Sequence, residues 1–258
     1  MSDEVVKLIE SFKFIANKKW IKSVSKSFGS IGLTFEKELD KFPDAMYFPD
    51  YYGTEIKCTS RYSHYPLFLF TVAFDGPTFP EINRIVEKYG YYDTQYSDKK
   101  VIYEELNCRV KHKVNEKYKF KLEVDENEEK SYLCVYDLDD VLIERESFVY
   151  LKTIYDHLML KLNRLAIVYA SSKKINNDKY FRYYKIEIYN LISWERFIRL
   201  LKFGEINVSL ISRISKSGND AGRYRNKNLV FKIKKNKIEK LFKKIYSYDN
   251  DLAEVINF

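Results

Sequence analysis

Cysteine is nearly absent from this chain, and its three copies, Cys58, Cys108 and Cys134, are odd in number and far apart. That pattern excludes a disulfide scaffold and a zinc knuckle and suits a reducing compartment. Histidine is equally scarce: His64, His112 and His157 share no metal-ligand spacing and none opens an H-x-x-R. His-metal nucleases and tyrosine recombinases are thereby set aside. No G-x-x-x-x-G-K-S/T loop is present for nucleotide phosphates, nor a G-x-S-x-G elbow for a serine hydrolase. There is no apolar run of 18 residues, and the chain opens Met-Ser-Asp-Glu instead of a basic region leading into an apolar one. Neither a membrane span nor a signal peptide is expected. Internal repeats and low-complexity linkers are also missing, and the densest charge run, 125–129, reads as a hairpin tip.

What is present in quantity is positive charge and aromatic surface. Lys and Arg number 45 against 37 Asp and Glu, a net +8, and a basic surface favours a polyanionic partner. The 23 tyrosines and 18 phenylalanines are expected to fill cores and sheet faces in a chain with only three methionines. A chain of 258 residues forms one large domain or two small ones and buries a substantial core either way.

The densest chemistry lies in Pro49-Asp50-Tyr51-Tyr52-Gly53-Thr54-Glu55-Ile56-Lys57. If residues 55–59 form a strand, Glu55 and Lys57 share a face while Ile56 and Cys58 pack behind. A Tyr52-Gly53 turn would fold Asp50 back beside Glu55. Two hard oxygen ligands a few ångströms apart suit Mg²⁺, which keeps several waters and a substrate phosphate in its shell, and Lys57 would hold and activate a water there. The same spacing also occurs as an ordinary charged hairpin. Upstream, Ile31, Phe35 and Leu39 recur every four residues as an apolar helical stripe. Glu36 lies about 100° from Phe35 at the edge of that stripe, within reach of a neighbouring sheet, whereas Glu38 looks solvated.

Together these segments resemble the MvaI/BcnI-type restriction endonuclease families and the mismatch-repair nickase MutH, which share the PD-(D/E)xK core. The carriers are Gly32-Leu33-Thr34-Phe35-Glu36, Pro49-Asp50, Gly53-Thr54-Glu55-Ile56-Lys57 and Leu67-Phe68-Leu69-Phe70-Thr71. The resemblance covers residues 20–90 well and continues more weakly through the C-terminal half. It implies an α/β (α+β) fold of restriction-endonuclease type, a mixed central sheet flanked by helices, with a catalytic subregion near 1–170 and a DNA-recognition subregion near 171–258. It implies that Asp50, Glu55 and the carbonyl of Ile56 bind Mg²⁺, that Glu36 helps with a second ion or its water, and that Lys57 is the catalytic lysine. The expected activity is hydrolysis of double-stranded DNA to 5′-phosphate and 3′-hydroxyl ends. A monomer in a bacterial cytoplasm, paired in its system with a cognate DNA methyltransferase, completes the expectation. A nicking enzyme of MutH kind and a catalytically silent DNA-binding module are the alternatives.

Candidate DNA contacts follow from the element reading. A helix over 3–16 precedes a basic stretch, 17–27, in which Lys18, Lys19, Lys22 and Lys26 surround Trp20 and could clamp a phosphate backbone. Arg61 and His64 lie just past the E-x-K strand. Residues 65–74 read as a central strand, Pro80 as the opening of a helix closed by Gly90, and 117–124 with 131–136 as a hairpin with one wet face. A helix over 147–164, strands at 165–170 and 180–189, a helix capped by Ser193, strands at 205–214 and 229–234, and a final helix capped by Asn236 complete the chain. Between the last two strands a 14-residue loop, 215–228, holds Lys216, Asn219, Arg223, Arg225, Asn226 and Asn228, with Arg213 at its entrance. Arginine and asparagine suit guanine and adenine edges, while basic residues grip phosphates equally well, so this loop is expected either to read bases or to hold the backbone. It resembles a family segment ending in an aromatic-basic-Ile strand, but the histidine and glycine often found there are missing.

Overall fold

The computed structural model describes residues 2–27, 29–39, 49–61 and 63–251, and these pack into two units. The first is assembled from 1–65, 160–192 and 242–258, the second from 66–159 and 193–241. This packing division is discontinuous in sequence.

In the first unit, helix α1 (Asp3–Asn17) buries Val5, Leu8, Ile9, Phe12 and Ile15, the stripe that its apolar spacing predicts. Strand β1 (Ile21–Lys22), helix α2 (Ser30–Glu38) and strand β2 (Glu55–Ser60) follow. Strand β2 runs parallel to the Arg164–Ile175 strand, pairing Glu55 with Leu165 and Lys57 with Ile167. The Arg164–Ile175 strand turns at Asn176 and Asn177, both at positive φ, into the antiparallel Asp178–Leu191 strand. The outer flank of that strand pairs with β1 and with Phe242–Asp249. The result is a mixed five-stranded sheet with β2 at one edge. Ile56, Ala166, Val168, Ala170, Phe181, Tyr183, Ile186 and Ile188 form its helix-covered face, packed on α1 and Phe35. By alternation, Glu55, Lys57, Ile167, Tyr169 and Glu187 point to the other face.

Phe242–Asp249 corrects the expected final helix. Only a 3₁₀ turn (Lys235–Lys237) and one α-turn (Ile238–Leu241) form before the chain becomes a strand. Ile238, Leu241, Phe242 and Ile245 fit a helical stripe, but backbone pairing with Asp178–Leu191 and packing of Tyr246 and Tyr248 on the core override that local signal.

The second unit holds two antiparallel sheets. One orders Leu67–Val72, Tyr224–Ile233, Ile206–Ile214, Lys100–Leu106 and Tyr91–Tyr92, which makes Leu67–Val72 an edge strand instead of a central one. The other places Lys130–Tyr136 between Phe148–Tyr150 and Lys119–Asp125, with Leu142–Glu144 beside it. Residues 131–135 are buried on both faces, so the expected wet face is absent from that strand. The helix expected over 147–164 begins only at Leu151, after Phe148–Tyr150 has completed this sheet. Helix Trp194–Lys202 is capped as its sequence predicts, Ser193 accepting the Arg196 N–H at 3.1 Å.

Helix Glu81–Tyr89 is tied to this second sheet by buried charge. Arg84 donates to Glu81 at 2.8 Å, to Glu144 at 2.5 Å and to Ser147 at 2.9 Å, while Lys88 and Tyr89 also donate to Glu144. Burial alone would raise the Glu144 carboxyl, but these donors hold it down at about 2 from an ordinary 4.5. Because the folded value lies below the unfolded one, this contribution to stability is complete above about pH 4.5 and is lost as pH falls toward 2. Arg84→Ala leaves two buried carboxylates short of their main partner and is expected to cost about 3 kcal/mol in urea unfolding at neutral pH. A cost under about 1 kcal/mol would show the network to be dispensable.

Candidate active site

The site is built by a turn and a strand edge. Tyr51 and Thr54 exchange both backbone hydrogen bonds, at 3.0 and 2.9 Å, around Tyr52 (φ 41°) and Gly53 (φ 75°). Two successive positive φ values define a type I′ turn, and glycine is the residue that adopts the second without strain. The turn folds Asp50 back, and its Oδ2 accepts the Ile56 N–H at 2.9 Å. In a strand the N–H and C=O of one residue point to the same side, so the Ile56 carbonyl opens toward the edge that Asp50 occupies.

Glu55 is 3% exposed. Lys57, two residues on and on the same face, donates to its Oε1. The other oxygen, Oε2, is buried with no hydrogen-bond partner among the described residues. A buried anionic oxygen without a donor is costly unless a cation or water completes it. Asp50 fixed by a backbone amide, Glu55 with one open oxygen and a carbonyl on the same edge make a hard-oxygen donor set that fits Mg²⁺. Among the described residues, no three His, Cys, Asp or Glu side chains are gathered to hold an ion by themselves.

Glu36 enters from α2. Its Oε1 lies over Gly32, one turn back, where a Cβ would come within 3.6 Å. Thr34 locks the helix in place: its buried hydroxyl donates to Ser30 C=O at 2.7 Å and accepts Val24 N–H at 3.2 Å. Tyr183 adds a hydrogen bond to the Ile31 carbonyl at 2.7 Å. Within the G-x-T-x-E pattern the threonine thus has a physical reading as the anchor of the helix that carries the carboxylate. The surrounding protein pushes the Cys58 thiol well up, and the negative charges of Glu36 and Asp50 add to that while Lys57 opposes it. All three charged groups therefore lie around the same strand. Glu38, expected to be solvated, is instead paired with Lys18 at 2.8 Å and only 18% exposed at its side chain.

The candidate DNA contacts are less uniform. Lys19, Lys26 and His64 are exposed. Lys22 pairs with Asp178 at 2.5 Å, and Arg61 lies over the Tyr184 ring, 5.3 Å from its centroid. In the second unit the expected 14-residue loop shrinks to 215–223, because Tyr224–Ile233 keeps pairing past a bulge at Lys227 and Asn228 (φ 53°). Polar residues hide a strand from hydrophobic periodicity, and Tyr224-Arg225-Asn226-Lys227 is such a run. Asp220 holds Arg223 at 3.3 Å and Arg225 at 3.6 Å, and Lys216 is paired with Asp93. Asn219 lines a hollow of about 570 Å³ with Arg213, Lys216 and Arg225. Asn226 is engaged by Ser212 at 2.6 Å and Asn83 at 3.1 Å. Lys227 was not anticipated. It is exposed at the strand bulge, and partial desolvation, then the neighbouring Arg213 and Arg225, push its ammonium down.

An E-x-K strand at the edge of a mixed sheet, with an aspartate folded back by a turn and helices covering the opposite face, defines a nuclease of the restriction-endonuclease-like fold. The chain belongs to the MvaI/BcnI restriction endonuclease family, whose model matches residues 9–242. Its fold is similar to that of restriction endonuclease MvaI in complex with cognate DNA substrate, with TM-score 0.87 and 24% identity over 95% of this chain and 98% of that one. Restriction endonuclease MvaI in the absence of DNA is also similar, with TM-score 0.58 and 22% identity over the same shares. No curated protein matches.

Proposed function

We propose that the protein is a Mg²⁺-dependent type II restriction endonuclease that cuts double-stranded DNA to 5′-phosphate and 3′-hydroxyl ends. The observation that carries this reading is the buried, unpartnered Oε2 of Glu55 beside Lys57 and the backbone-fixed Asp50. Asp50, Glu55 and the Ile56 carbonyl would hold the ion, with Glu36 serving a second ion or its water. Bound Mg²⁺ supplies acidification of a water and neutralisation of charge on the scissile phosphate. Lys57, exchanged from Glu55 onto the attacking water, orients it and offsets negative charge as the transition state forms. Catalysis belongs to the first unit and base reading to the 213–228 hairpin of the second. Incubation with bacteriophage DNA and Mg²⁺, followed by sequencing of the ends, tests the whole reading: discrete fragments support it, and intact DNA overturns it. On supercoiled plasmid the protein alone is expected to yield linear product; accumulation of open circles would favour a MutH-like nickase.

Glu36→Gln is expected to slow cleavage by on the order of 10²-fold with unchanged thermal stability, because the carboxylate serves the ion's surroundings and not the core. Full activity would return Glu36 to an ordinary helix residue. For the hairpin, a lost base contact costs about 1–3 kcal/mol and relaxes choice at one position, whereas a lost phosphate contact weakens all sequences alike. Arg223→Ala and Arg225→Ala, titrated on the true site and single-base variants at two salt concentrations, are expected to relax discrimination. Uniform weakening for both would leave the hairpin only a backbone-gripping role.

A further inference from the structure

The face of the first unit's sheet that carries Glu55 and Lys57 continues past them as a track of cations. Thr59 and Arg61 follow Lys57 at i+2 and i+4, and pairing continues that far, since Arg61 N–H bonds Ala170 C=O at 3.1 Å. At a rise of about 3.3 Å per residue, Arg61 lies about 13 Å along the strand from Lys57. Across the sheet, Ser171 pairs with Arg182, and Lys173 with Tyr180, which pairs on its other side with Lys22. Phe181 and Tyr183 belong to the helix-covered core, so Arg182, between them, points to the catalytic face.

Arg61 and Arg182 converge on one carboxylate. Arg61 Nη1 stands 3.6 Å from Asp251 Oδ2, and Arg182 donates to Asp251 Oδ1. Two guanidinium groups, 52% and 29% exposed at their side chains, thus grip a single two-oxygen anion that is itself 30% exposed. Two guanidinium groups flanking one anion, one hydrogen-bonded and one ion-paired, suit the oxygens of a phosphate as well as those of a carboxylate. We infer that Arg61 and Arg182 form a clamp for a DNA backbone phosphate beside the catalytic centre, and that Asp251 occupies it until DNA displaces the carboxylate. The inference rests on the reading of the protein as a DNA endonuclease and adds to it the path of the bound strand along the sheet.

The test is binding of a fluorescein-labelled duplex without divalent metal, read by anisotropy across a salt series. Arg61→Ala and Arg182→Ala are each expected to weaken binding roughly tenfold and to lower the slope of log affinity against log salt by about one. Arg182→Lys should restore the slope but only part of the affinity, since the charge returns without the fork. Asp251→Asn should tighten binding severalfold, and that gain should vanish when both arginines are replaced. Matched melting temperatures exclude unfolding as the cause. Wild-type affinity and slope in both alanine variants, or weaker binding by Asp251→Asn, would overturn the clamp. Failure of the wild-type protein to bind any duplex would sink the endonuclease reading itself, a different result.

Discussion

Lys57→Ala is expected to abolish cleavage while Mg²⁺-dependent DNA binding stays largely intact. The substitution removes a contact made in the transition state and leaves Asp50 and Glu55 in place. The geometry adds a second readout. Lys57 is the hydrogen-bond partner of Glu55 Oε1, and without it a carboxylate that is 3% exposed has both oxygens unsatisfied among the described residues. Mg²⁺ should therefore raise the melting temperature of Lys57→Ala more than that of wild type, since in wild type one carboxylate oxygen already has a partner and in the variant neither has. Cleavage within tenfold of wild type would remove Lys57 from the chemistry.

The second large effect is at Asp50. Asparagine keeps an oxygen to accept the Ile56 N–H, so the turn and the strand edge survive. What is lost is the negative charge proposed to face the ion. Asp50→Asn is expected to drop cleavage to background and to remove the Mg²⁺-induced rise in melting temperature, with the metal-free melting temperature near wild type. A variant that still shows the Mg²⁺ shift would mean that Asp50 serves the backbone alone.

How much of this was readable in advance follows the range of the forces involved. The Asp50 to Lys57 segment was legible because its parts are local: a glycine at the second positive-φ position, a period of two along a strand, and a carboxylate six residues from the amide it accepts. The place of Glu36 on a helix was legible for the same reason, through the apolar stripe of Phe35. The partner of β2 was not, since Leu165 pairs with Glu55 across more than a hundred residues and nothing at either position announces the other. Phe242–Asp249 was misread because a helical spacing of Ile238, Leu241, Phe242 and Ile245 carries no information about a waiting strand edge. Asp251 meeting Arg61 and Arg182 belongs to the same class: three residues from three segments, joined only by the sheet.

The position of β2 as the outermost strand of its sheet has one more consequence. An unpaired edge strand invites another polypeptide to add itself as the next strand, and proteins guard such edges with charge or with a bend of the chain. Here the amide of Ile56 is already taken by Asp50, and the Tyr52-Gly53 turn lays the preceding chain alongside. Asp50, proposed above as a metal ligand, thus also guards the edge against self-association, so Asp50→Ala, which removes the acceptor as well as the charge, should aggregate on storage where Asp50→Asn stays monodisperse.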